Sequence, residues 1–306
     1  MTEPTGPILV TGATGAQGGA TARRLLAAGV TVRVLTRDTS SAAARALAAL
    51  GAELHRGGFD DADALATALR GSTGVFSVQI PDVLGDDAER RHGLALVQAA
   101  KAAGVQQFVH TSVDRAGTHT GFPRWGSGHW MEKYWTDKWD VEQAVRQAGF
   151  AQWTILQPAF MMDNFAQPKS RFMFPHLAKG EIVTALRPDT RMQLIAADDV
   201  GAFAAAAFAA PARFSGQTIG LGVESLTMDE VAAVLSRVLG SRITAHSVSA
   251  DEAIARGLYP GWVRSQEWTN EVGYQTDVEA ARAFGVPLTP FADWVDQHRD
   301  AIEVPQ

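Results

Sequence analysis

The chain has 306 residues, no cysteine and a formal net charge of −6. That length allows one large domain or two closely joined ones, with a substantial core. The lack of cysteine excludes disulfides, thiol catalysis and cysteine–metal sites and agrees with a reducing cytoplasm, while the acidic balance excludes a general attraction to nucleic acid or anionic membranes.

The N-terminal stretch MTEPTGP is too short and polar for a signal peptide. Ile8, Leu9 and Val10 then read as a short buried strand. Gly12, Gly15 and Gly18 follow in a G-x-x-G-x-x-G spacing, and GATARRLLAAG reads as a helix that stops at Gly29. A second strand, VTVRVLTR, ends at Arg37. Strand, glycine turn, helix and strand within about thirty residues is the context a dinucleotide-binding turn requires. One glycine permits the tight turn, one lets backbone N–H groups approach a pyrophosphate, and one lets the helix pack on the sheet. The helix N-terminus offers N–H groups and partial positive charge to phosphates. Gly12, Thr14, Gly15, Ala16, Gln17 and Gly18 are therefore expected to face the cofactor. The alternative is a bare structural turn.

The end of the second strand bears on which cofactor binds. An acid there suits the ribose 2′-hydroxyl of NAD, whereas an Arg accommodates a 2′-phosphate. Thr36 stands where the acid is expected and Arg37 follows, which favours NADP(H). The alternative is NAD(H), with Asp38 on the ribose and Arg37 simply solvated.

Further along, residues 40–50 read as a helix, AELHRG as a third strand, and Asp61 to Leu69 as a helix. GVFSVQI, residues 74–80, reads as a fourth strand and DDAERRHGLALVQAAKAAG as an amphipathic helix. VQQFVHTS, residues 105–112, reads as a fifth strand. A helix is expected from His129 to Ala148, and WTILQP, residues 153–158, as a sixth strand. Alternating strands and helices predict an α/β fold, a Rossmann-type doubly wound parallel sheet. Ligands bind beyond the carboxyl ends of such strands, so Gln79, Ile80, Pro158 and Phe160 are candidate cofactor walls. Ile80 and Pro158 would equally suit plain structural roles.

Beyond Pro158 the rhythm changes. TMDE at 227, SADE at 249 and TDVE at 276 each match the S/T-x-x-E capping box. A smaller α+β lobe for substrate is expected from residues 159–184 and 221–306. Residues 1–158 form the dinucleotide-binding domain, and 185–220 return to its sheet. AFAAAAFAA, residues 202–210, is too short to span a bilayer. The histidines show no H-x-H or H-E-x-x-H spacing, so no metal is expected.

VTGATGAQGG, TRD, HTSVD, KWDVEQAVRQAG, TILQPAFMMDNF, PDTRMQLIAADDVGAFAAAAF and ESLTMDEVAAVLSRVLG, in that order, resemble the NmrA-like family. That family is an atypical branch of the short-chain dehydrogenase/reductases. The resemblance covers nearly the whole chain. It implies NADP(H) or NAD(H) on a Rossmann-type sheet. It also implies either reduction of a quinone, carbonyl compound or other aromatic acceptor, or a redox sensor that acts through a protein partner. Two departures stand out. Related dehydrogenases carry an acid after strand three to meet the adenine amine; here Gly58 occupies that place, leaving the backbone of Phe59. Their catalytic hydroxyl falls here on Ser112 or, one residue on, is replaced by Val113, and a one-residue slip reverses the face of a strand.

YWTDK contains the Y-x-x-x-K pair of the dehydrogenases, Tyr134 and Lys138. In those enzymes the Lys contacts the nicotinamide ribose and lowers the Tyr pKa, so that Tyr exchanges a proton with a carbonyl oxygen. Residues four apart share a helix face. Trp130, Tyr134, Lys138, Val141, Val145 and Ala148 form one stripe, which should be buried. A buried Lys needs a partner, and a bound ribose and phosphate would provide one. The alternative is an incidental helical pair. Five aromatic residues between 121 and 135 either clamp a flat substrate or pack the two lobes. Tyr134 divides the reductase from the sensor, which has no need of it; a scaffold without cofactor is the blandest reading.

Overall fold

The computed structural model describes residues 6–81 and 85–305. Most of the polar N-terminal stretch, residues 1–5, lies outside the described residues. In chain order the elements begin β1 (Ile8–Val10), α1 (Ala16–Ala27), β2 (Val32–Thr36), α2 (Ala42–Ala49), β3 (Glu53–Arg56) and α3 (Ala62–Leu69). They continue through β4 (Gly74–Ser77), α4 (Ala88–Ala102), β5 (Gln107–Thr111), α5 (Glu132–Gln147) and β6 (Gln152–Pro158). Next come β7 (Phe160–Met161), α6 (Ser170–Met173), β8 (Glu181–Thr184), β9 (Met192–Ile195), α7 (Ala197–Ala209), α8 (Pro211–Phe214) and β10 (Gln217–Leu221). The chain closes with β11 (Glu224–Leu226), α9 (Met228–Leu239), β12 (Thr244–Ser247), α10 (Ala250–Ala255), α11 (Pro260–Glu271), α12 (Val278–Arg282) and α13 (Phe291–Gln297).

The chain divides into two compact units. The first gathers residues 1–116, 133–157 and 197–219. Its seven-stranded sheet runs β10-β6-β5-β4-β1-β2-β3, and β1 to β6 pair in parallel. This is the doubly wound α/β order, reversing between β1 and β4, where ligands of such sheets bind. The strands are short apolar runs because both faces are covered; β1 and β4 are buried throughout. One face is sealed by Leu65, Leu69, Leu96, Val97, Val145 and neighbours. On α7 the small residues allow backbone contact: a Cβ on Gly201 would lie 2.7 Å from the carbonyl carbon of Ala20 on α1.

The second unit gathers residues 117–132, 158–196 and 220–306. It holds a three-stranded sheet, β11-β9-β7, and a two-stranded parallel one, β12-β8. Its core is aromatic, with Phe160, Phe165, Phe174, Trp262, Phe291 and Trp294 all buried.

Several sequence expectations shift at element ends. TMDE forms the full capping box of α9, with Thr227 and Glu230 bonded reciprocally at 2.9 and 3.2 Å. At SADE, Ser249 caps α10 through the Glu252 N–H. At TDVE the cap is Asp277, one residue later than expected, because the Thr276 backbone is tied on both sides to the amide of Gln193. Helix α5 begins at Glu132 and not at His129. Gly126 and Gly128 take left-handed φ values of 83° and 72°, and their N–H groups donate to the Glu132 carboxylate, holding a turn there. Strand β4 stops at Ser77 and β5 at Thr111, each short of its expected end. Among the described residues no helix is long and apolar enough to cross a membrane, and no group of three or more His, Asp or Glu could hold a metal ion.

Candidate functional site

The glycine turn is built from backbone. Gly12 has φ +60°, and a Cβ there would lie 2.5 Å from Val78 Cγ1. A Cβ on Gly18 would sit 2.4 Å from the Gly12 carbonyl oxygen, so only glycine lets α1 start this close to the turn. Gly15 is the N-cap of α1 and supplies no side chain to cap it. Gly12, Thr14 and Gly15 are exposed, with Ala16 and Gln17 half-buried. The resulting uncapped N-terminus, open at its mouth, suits a phosphate. Gln17 ties the turn to β5: its Oε1 accepts a 2.7 Å hydrogen bond from Thr111 Oγ1.

Arg37 is exposed at the end of β2, and its Cγ lies 3.6 Å from the place a Cβ would take on Gly58. Asp38, the alternative ribose ligand, is already engaged. Its Oδ1 accepts from both the N–H and the hydroxyl of Ser40, at 2.8 and 2.5 Å, and these bonds hold its carboxyl below the usual range. Phe59 is half-buried and stacks on His92 with ring centroids 5.1 Å apart. The two acids that follow also have partners. Asp60 pairs with Arg91 and His92, and Asp61 caps α3.

At the end of β4, Gln79 is buried and donates to Ser77 Oγ at 3.1 Å, whereas Ile80 is 76% exposed. Ser77 also meets His110 Nδ1 at 3.1 Å. Burial, then the charge of Lys138, push the His110 pKa from 6.5 down to about 3, so the imidazole is neutral. Ser112 is buried and its hydroxyl has no hydrogen-bond partner, while its N–H donates to the Leu156 carbonyl at 2.8 Å. Val113 is buried beside it.

In the second unit, Pro158 is buried, and Phe160 lies in the aromatic core, stacked on Trp262 at 5.1 Å. The Phe160 ring is committed to that core, and its strand β7 pairs with β9. Phe122 and Trp130, from the aromatic segment, are likewise packed. Phe122 lies against Trp268 at 5.7 Å; Trp130 donates to the Pro123 carbonyl at 2.6 Å and carries the Arg124 guanidinium over its ring.

Of the expected stripe, Lys138, Val141 and Val145 are buried on α5 and Tyr134 is half-buried, whereas Trp130 precedes the helix and Ala148 follows it, both buried. Lys138 Nζ sits 4.9 Å from the centre of the Tyr134 ring. Two features differ from the expected pair. Lys138 already has a protein partner: its Nζ donates to Glu89 Oε1 at 2.5 Å, with both side chains buried. The Tyr134 pKa moves up instead of down, because burial and then the Glu89 charge oppose the phenolate. A neighbouring ammonium alone would lower it, but here that charge is offset by a carboxylate.

Glu89 was absent from the sequence-derived site. A signal for it exists: Glu89, Gly93, Leu96, Val97 and Ala100 share the buried stripe of α4, so helical periodicity puts one acid on an apolar face. Gly93 brings the helices together. A Cβ there would lie 2.4 Å from Val141 Cγ2 on α5.

A family model, the NmrA-like family, matches residues 4–286. A (4-alkanoyl-5-oxo-2,5-dihydrofuran-3-yl)methyl phosphate reductase of Streptomyces griseus is 31% identical, over 96% of this chain and 98% of its own. An NAD(P)H azoreductase of Xenophilus azovorans is 30% identical, over 80% of this chain and 78% of its own. Among solved structures, NmrA, described as a negative transcriptional regulator in complex with NADP, superposes with a TM-score of 0.74. That match is 23% identical and covers 98% of this chain and 97% of the other.

Proposed function

The chain belongs to the NmrA-like family, and from that premise we propose that it is an NADP(H)-dependent reductase of a small aromatic, quinone or carbonyl acceptor. The observation that carries the reading is the uncapped, side-chain-free start of α1, where Gly12, Gly15 and Gly18 leave room for a diphosphate. The residues present fit the dinucleotide. The turn from Gly12 to Gly18 would hold the diphosphate, Arg37 the 2′-phosphate, Phe59 the adenine through its backbone, and Lys138 the nicotinamide ribose. Gln79 and Ile80 would serve as walls.

When bound, the cofactor supplies a hydride. The acceptor oxygen then needs a proton, and Tyr134 is the donor at hand. Its raised pKa keeps the phenol protonated across the neutral range. A protonated phenol suits reduction, whereas oxidation of an alcohol needs the phenolate as base. Ser112, a buried hydroxyl without a partner, would hydrogen-bond the acceptor. Reductases among the relatives, one of them an NAD(P)H azoreductase, support a small organic acceptor. The cysteine-free sequence agrees with work in the cytoplasm, and the second unit is the expected substrate lobe.

The rival is a sensor of the NADPH/NADP ratio acting through a protein partner. The test is a panel of quinones, aldehydes and azo dyes followed by loss of NADPH absorbance. Turnover of any class supports the reductase; tight NADPH binding with no acceptor turned over leaves the sensor.

A further inference from the structure

Of the buried pair between α4 and α5, Glu89 has no assigned role in the proposed reduction. Glu89 occupies the first turn of α4, where a helix N-terminus favours a carboxylate. Its Oε1 holds Lys138, and its Oε2 is buried without any hydrogen-bond partner. A carboxylate kept for stability alone would have both oxygens bonded, because an unpaired buried acceptor is costly. A buried ion pair is moreover weak evidence of stabilisation: well-packed apolar residues often do as well. The same two helices pack closely at Gly93, where a Cβ would lie 2.4 Å from Val141 Cγ2.

We propose that Glu89 is a positioning residue of the dinucleotide site: it is the counter-ion that holds Lys138 charged and in place for the cofactor. The inference rests on the dinucleotide reading above. The groups facing Lys138 are Glu89 from α4, Tyr134 from its own helix, and His110 from β5, whose titration Lys138 influences. His110 is neutral and Tyr134 protonated from mildly acidic to mildly alkaline pH. Asp137 is taken by Lys133, and Glu142 by Arg146 and Gln157. Glu89 is thus the carboxylate paired with Lys138. Without it, a buried ammonium sheds its proton more readily as pH rises, and the cofactor loses a charged contact. Affinity is then present at low pH and lost at high pH.

The experiment is calorimetric titration with NADPH at about pH 6 and about pH 9, each affinity expressed relative to the native protein to cancel the cofactor's own titration. In Glu89→Gln the relative affinity should fall by about tenfold or more between the two pH values. Adding Lys138→Arg should remove that pH dependence, because a guanidinium stays charged throughout. If Glu89→Gln does not fold, Glu89→Asp carries the test, with the same trend at about two- to threefold. A lowered melting temperature with no pH trend in affinity would make Glu89 a structural residue and overturn the inference. If no acceptor is reduced but the pH trend is found, the reductase reading falls and the role of Glu89 stands. If an acceptor is reduced and the trend is absent, the reverse holds. A native protein that binds neither NADPH nor NADH overturns both.

Discussion

The turn after β1 and the helix face bearing Tyr134 and Lys138 are built on opposite terms. The turn works by removal: Gly12, Gly15 and Gly18 carry no side chains, and no carboxylate or hydroxyl caps the start of α1. The helix face works by addition. A lysine and a carboxylate from another helix pair there, and, after burial, their charges add to the shifts of the nearby phenol and of a histidine from a strand. The first kind of site is complete within eleven residues of sequence from β1 to Gly18. The second is assembled across a separation of 49 positions between Glu89 and Lys138. A substitution in the turn should therefore act through shape, and one on the helix face through charge.

The largest expected effect is on shape. Gly18→Ala places a Cβ 2.4 Å from a backbone oxygen that cannot swing aside, so α1 must move off the turn. Misplacement by about 1 Å costs on the order of a hundredfold, and NADPH affinity measured by calorimetry should fall by at least that. A variant that binds NADPH as the native protein does would show that the turn does not hold the phosphates.

Next comes Tyr134→Phe, which removes one hydroxyl and nearly no volume. General acid catalysis contributes about 10²–10⁴-fold, so kcat on an acceptor found in the panel should fall by that order with NADPH affinity unchanged. Full kcat in the variant would mean that water or Ser112 delivers the proton. Lys138→Ala should reduce binding and kcat together, and its effect should overlap that of Glu89→Gln instead of adding to it.

A smaller effect is expected at Arg37. Losing a charge-assisted bond costs about 1.5–3 kcal/mol, so Arg37→Ala should narrow the preference for NADPH over NADH by about tenfold to a hundredfold. Equal affinity for the two cofactors in the native protein would remove the argument for a 2′-phosphate site.

The difference between the two regions also explains which parts were legible in the sequence. The turn and the alternating strands and helices are local patterns that lie where their patterns put them, and so do Lys138, Val141 and Val145 on the buried face of α5. The capping box at Thr227 is local in the same sense. What failed to show depended on distant neighbours. Thr276 lost its cap to Gln193, 83 positions away, and the start of α5 moved because a carboxylate bonded two glycines ahead of it. The direction of the Tyr134 shift could not be read from Y-x-x-x-K, since it turns on burial and on Glu89. Phe160 was placed by its strand end, but the aromatic core of the second unit takes its ring.

The smallest effect sharpens the electrostatic side. His110 is neutral when folded, with its pKa depressed to about 3, and regains its ordinary 6.5 when unfolded. The unfolded chain therefore binds an extra proton between those values, and this part of the stability is present above 6.5 and lost as pH falls toward 3. His110→Gln should flatten the fall in melting temperature between pH 7.5 and 5 by a few degrees, on the order expected from about 2 kcal/mol. An unchanged slope would mean that the imidazole is not desolvated as the packing implies.

The backbone contact of Gly201 with Ala20 bears on the order in which the molecule comes into being. Helix α7 covers α1, yet it is synthesised only after the strands and loops of residues 158–196. Until residue 209 has left the ribosome, the face of α1 that meets α7 has no cover. A chain stopped at residue 158 carries the whole glycine turn and still lacks the lid on its first helix. The turn therefore cannot be harvested as a small module, and any frameshift or nick before α7 should leave a fragment prone to aggregate and not a miniature of the domain.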